Sequence, residues 1–205
     1  MRRILLLAMI ISSLSALVLG FHYLQQANDM KGNEEAASFP SYPPIYKAFM
    51  LQAREVSLEE LRDIMKSHGY DILIPHHIPD GIKLSAVYYK CCPLVVIIAY
   101  SDKGVKDYRF ANITIEIAPF DQKFAPSEEY LRRLNNPPKE YVVRFRDFVA
   151  VISPEAEYGD PELRKLSGPG PLAVVWHNGL EYIIGMKRPL TVEDLHSLLN
   201  SLSPA

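Results

Sequence analysis

The 205-residue chain is 48% apolar and 22% charged, with a formal net charge of −2 at neutral pH. That apolar fraction suits a globular core and excludes a chain too polar to fold. The charge is balanced and forms no basic stripe, so nucleic acid is excluded as a partner.

The first element is the apolar run from Ile4 to about Leu24, preceded by Arg2 and Arg3. A helix of about 20 apolar residues spans the hydrocarbon core of a bilayer. Basic residues before the run, with none after it until Lys31, hold the N-terminus in the cytoplasm. Residues 1–24 therefore read as a signal anchor, a single-pass transmembrane helix in the cell membrane that leaves the rest on the extracytoplasmic side. A signal peptide cleaved near Val18-Leu19-Gly20 is the alternative, although its apolar region runs only about 7–15 residues. Without the two arginines the remainder carries about −4. Residues 25–46, polar and then "FPSYPP", read as a linker that stiffens where proline dominates. Residues 47–205 are long enough for one domain.

Pro43-Pro44 predicts a short helix with Tyr46, Phe49, Met50 and Ala53 on one face. A second helix follows, with Ser57 and Glu60 as a capping box and Val56 stapling onto Leu61. Leu58, Leu61, Ile64 and Met65 form its apolar stripe, and Gly69 stops it. The period then switches to two. A turn at Pro79-Asp80-Gly81 precedes a strand from about Lys83 to Tyr89, and Leu94 to Tyr100 reads as a buried central strand. Asp102-Lys103-Gly104 turns the chain into an alternating strand from Asn112 to Ala118. Ser127 caps a short helix bearing Tyr130, Leu131 and Leu134, which Pro137-Pro138 ends. "EYVVRFRDFVAVIS" predicts two strands about a turn at Arg146-Asp147, followed by a polar loop. Asn178-Gly179 between Leu172–His177 and Leu180–Gly185 is the strongest hairpin signal in the chain. Thr191 caps a last helix carrying Val192, Leu195, Leu198, Leu199 and Leu202. Hairpins between helices predict an α+β fold, a twisted antiparallel sheet with flanking helices.

"IPHHIPDGIKLSAVYY", "VVIIAYSDKG" and "LAVVWHNGLEYIIGMKRPLTVEDLHSLLNSL" together resemble a family of membrane-tethered extracytoplasmic domains of unknown function. The resemblance covers roughly Ile74 to Leu202. It rests on a proline–glycine lead-in to a strand, a strand ending in tyrosine and a polar turn, and a closing tryptophan strand, aromatic strand and capped helix. Some members of the family are attached to anti-sigma or sporulation-related proteins. Here only Met1-Arg2-Arg3 precede the anchor, so no cytoplasmic regulator-binding domain is expected. The resemblance brings no catalytic residue and no cofactor. PsbP-like and LolA-like sheets are similar in outline, as analogy only.

Few residues carry chemistry. Cys91 and Cys92, the only cysteines, fall in "KCCP", the turn between two predicted strands. Three readings stay open: packed or reduced thiols, a strained local disulfide, and a link between chains. A structural zinc site takes four ligands, commonly with CxxC spacing, which this pair lacks. His76, His77 and Asp80 are the most metal-like cluster, with His177 or Glu181 as a further ligand, but no HExxH spacing occurs and a solvated loop is favoured. Trp176, Tyr182, Tyr88, Tyr89 and Tyr100 read as core or cross-strand pairs before pocket residues. Asn112-Ile113-Thr114 is a glycosylation sequon on the polar side of its strand. The expected function is a non-enzymatic module that binds a protein partner or small ligand through its sheet face or loops. A metal-dependent enzyme using the His76–His77 loop and a lipid or lipoprotein carrier are the alternatives.

Overall fold

The computed structural model describes residues 49–120, 126–156 and 169–204. The Ile4–Leu24 run, the linker and the Pro43-Pro44 helix start lie outside the described residues. Among the described residues no helix is long and apolar enough to cross a membrane. The chain divides after Gln52, and the described strands all belong to the compact unit Ala53–Ala205.

In chain order the elements are β1 (Arg54–Glu55), α1 (Leu58–Ser67), β2 (Leu73–Pro75), β3 (Lys83–Lys90), β4 (Val95–Ser101) and β5 (Ile113–Pro119). Then come α2 (Glu128–Leu134), β6 (Tyr141–Arg144), β7 (Val149–Ala156), β8 (Gly170–His177), β9 (Leu180–Met186), α3 (Val192–Asn200) and β10 (Leu202–Pro204). The fold is α+β. Eight strands pair antiparallel in the order β1-β3-β4-β5-β9-β8-β7-β6. After β5 the chain crosses to the far edge, forming α2 on the way, and meanders back through β6, β7 and β8 to lay β9 beside β5. Two local meanders are thus joined by one long-range pairing, from Ile113↔Met186 to Pro119↔Leu180.

Alternation decides which side chains enter the core. Val96, Ile117, Tyr182, Val175 and Ala150 stand in one register row across neighbouring strands, and each is essentially inaccessible. The stripe of α1, Leu61 and Met65, and that of α3, Leu195, Leu198 and Leu199, belong to the same buried cluster. Complete burial of a side chain such as Leu61 contributes about 1.5–3 kcal/mol. Tyr182 adds a polar tie, because its buried hydroxyl accepts the Leu73 amide proton at 2.9 Å. That bond fastens β2 to the middle of the sheet.

The turns follow their residues. Asn178 and Gly179 adopt φ of 47° and 77°, the positive pair that a two-residue hairpin requires. Gly170 is needed for a different reason, since a Cβ there would run into the Met186 carbonyl of the neighbouring strand.

Three expectations change. Ser57 caps α1 by accepting from the Glu60 amide at 3.0 Å, but the Glu60 carboxylate pairs with Arg54 at 2.7 Å. The reciprocal capping box is found on α3 instead, between Thr191 and Asp194. Leu202 is not on that helix. It opens β10, which pairs with β2 through Leu202↔Pro75, a contact between distant segments that local periodicity does not reveal. The β4–β5 connection is also more than a turn, because residues 102–112 include a 3₁₀ turn at Tyr108–Phe110.

Candidate functional site

The β4–β5 connection and the segment after β9 meet where the two meanders join. The Lys187 amide donates to the Asn112 carbonyl at 2.9 Å, carrying the β5–β9 ladder one step beyond the strands. Around this junction opens a cleft of about 400 Å³, lined by Ser101, Asp102, Lys103, Val105, Phe110, Ala111, Asn112, Lys187, Arg188 and Pro189.

Its shape is held by local hydrogen bonds. Asn112 Oδ1 accepts the Asp102 amide proton at 3.0 Å, and Ser101 Oγ accepts that of Lys103 at 3.2 Å. Asp107 caps the 3₁₀ turn and also receives the Arg109 guanidinium at two points, Nε to Oδ1 at 3.0 Å and a terminal nitrogen to Oδ2 at 2.6 Å. A two-point pair of this kind fixes orientation as well as charge. It holds Arg109, whose side chain is only 7% exposed, and the backbone that presents Phe110. Phe110 itself remains 49% exposed.

Lys187 is the most unusual cation here. Its amine donates to the Arg109 carbonyl and lies 5.8 Å from the centre of the Phe110 ring. Burial holds its pKa below the ordinary lysine range; Asp107 pulls it back up and Arg109 presses it further down. The carboxylate that favours its charge, Asp107, is already committed to Arg109. Of the other lining charges, Arg188 reaches Glu155 at 3.5 Å and the Pro169 carbonyl at 3.1 Å, while Lys103 and Asp102 stand exposed at the rim. Three cations against one carboxylate, beside an aromatic ring, suit an anion with an apolar body.

Other singled-out residues lie elsewhere. His76, His77 and Asp80 are exposed on the loop after β2, with His76 Nε2 2.6 Å from Ser203 Oγ. Among the described residues no group of three or more His, Cys, Asp or Glu is placed to hold a metal ion. His177 is buried at the β8–β9 hairpin, where its ring nitrogens meet the Asp147 carbonyl and the Asn178 amide, each at 2.9 Å. Glu181 accepts from the Trp176 indole at 2.9 Å. The aromatic residues divide between the two faces of the sheet. Tyr89, Tyr100 and Tyr182 join the buried cluster, whereas Tyr88 and Trp176 have the opposite strand parity. Burial raises the Tyr100 hydroxyl to about 12. Asn112 is half-buried in the cleft instead of standing free on the strand.

Sequence reasoning passed over Phe110, Lys187 and Arg188. The available signal was the aromatic pair Tyr108 and Phe110 inside the mostly polar "SDKGVKDYRFAN", and the basic pair directly after β9. No protein-family profile matches the chain, and no curated protein or solved structure does.

Proposed function

We propose that the chain is a non-catalytic binding module that takes a small organic anion in the Phe110–Lys187 cleft. In this reading the Ile4–Leu24 run tethers it to the cell membrane, with the compact unit on the extracytoplasmic side. The observation that carries the binding reading is Lys187, a partly buried amine that donates to a backbone carbonyl beside a half-exposed ring. Among the described residues no carboxylate pairs directly with that amine; a bound carboxylate or phosphate would do so, and the ligand's apolar part would cover Phe110. Charge-assisted hydrogen bonds contribute about 1.5–3 kcal/mol, enough to select an anion over its neutral isostere.

Titration of the purified chain with benzoate, phenyl phosphate and neutral benzamide tests this. The two anions should bind saturably and benzamide should not, with Lys187→Met weakening the anions about tenfold or more. Equal binding of benzamide, or none by any of the three, would refute the reading. For the tether, protease added to intact cells should digest the compact unit, and protection would contradict the orientation.

A further inference from the structure

Neighbouring side chains in a strand point to opposite faces, yet Cys91 and Cys92 do not. β3 ends at Lys90, and Cys92 adopts a left-handed φ of 68°, uncommon for a residue with a side chain. This brings the two sulfurs to the same side of the β3–β4 turn, 2.6 Å apart, and both residues are exposed. A turn needing only to reverse the chain does not require two thiols in contact at its tip. Tyr89, the preceding inward-facing residue, lies 3.1 Å from His68 Nε2 through its hydroxyl.

We propose that Cys91 and Cys92 form an exchange-active dithiol that reduces an external disulfide and closes into a bond between the two adjacent residues. The Cys91 thiolate attacks one sulfur of the external disulfide, forming a mixed disulfide and expelling the first thiolate. Cys92 then loses its proton and attacks Cys91 Sγ, expelling the second thiolate. The pair gives up two electrons and two protons, and the external disulfide becomes two thiols. The order follows from the surroundings. Hydrogen bonds from Cys92 and then Tyr89 draw the Cys91 thiol below the usual thiol range, while the Cys91 sulfur pushes Cys92 up. The lower-pKa, exposed thiol is the better first nucleophile. Its neighbour is already in place for the second attack, which is therefore intramolecular and fast.

The test is to incubate the reduced full-length chain with oxidised glutathione and follow intact mass and maleimide-reactive thiols. Wild type should lose two hydrogens and both reactive thiols, keep no glutathione, and recover with dithiothreitol. Cys92→Ser should retain one glutathione on Cys91, and Cys91→Ser should react more slowly. Stable glutathione on wild type, disulfide-linked dimers in place of the internal bond, or two thiols that stay unreacted would each overturn the proposal. So would equal reaction rates of the two single variants.

Discussion

The helix-covered face of the sheet and the cleft at its end are made of opposite materials. On the first, Ile115, Ile184, Leu61 and Leu198 are fully buried, and the hydroxyl of Tyr182 has its partner within the core. In the cleft, cations, a half-exposed ring and a partly buried amine are held by hydrogen bonds at turns. Packing of apolar side chains stabilises the first region. The second leaves positive charge available to a ligand at little cost to the fold. Damage to the core should therefore appear as lost stability, and damage to the cleft as lost binding.

The sharpest way to break that comparison is in the middle of the sheet. Ile115→Ala removes a fully buried side chain between Ile98 and Ile184 and should cost about 2–5 kcal/mol in denaturant unfolding. The folded fraction should still bind benzoate with wild-type affinity. A loss below about 1 kcal/mol would show that the site is not tightly packed. Tyr182→Phe keeps the ring and strands the buried Leu73 amide, so about 1–3 kcal/mol should be lost. An unchanged midpoint would mean that β2 finds another acceptor. Ser57→Ala should cost about 1 kcal/mol, because the Glu60 amide loses its cap. No change would show that Ser57 does not hold the start of α1.

What the sequence revealed follows the same division. The β8–β9 hairpin, the α1 stripe and the caps at Ser57, Ser127 and Thr191 were legible because each depends on residues within a few positions of one another. The β5–β9 pairing and the β2–β10 pair were not, because both join distant segments whose alternation fits several partners. The cleft was hidden for the same reason. Phe110 and Lys187 meet only after β9 lies beside β5, and neither belongs to a motif of fixed spacing. Cys91-Cys92 was visible as a turn, but the contact of its sulfurs depends on the φ of Cys92.

The central claim is that a ligand anion meets Lys187, and the pH dependence of benzoate affinity tests it most directly. Burial lowers the pKa of Lys187 in the free protein, against Asp107 and with Arg109. A bound carboxylate favours the charged amine and raises that pKa, so binding takes up a proton wherever the free amine is neutral. Affinity should be full below the depressed pKa and fall as pH rises through it, ahead of the ordinary lysine range. Benzoate itself stays ionised throughout. In Lys187→Met the affinity should be weaker and lack this early decline. The same decline in wild type and Lys187→Met would contradict the account, because the titrating group would then be another residue.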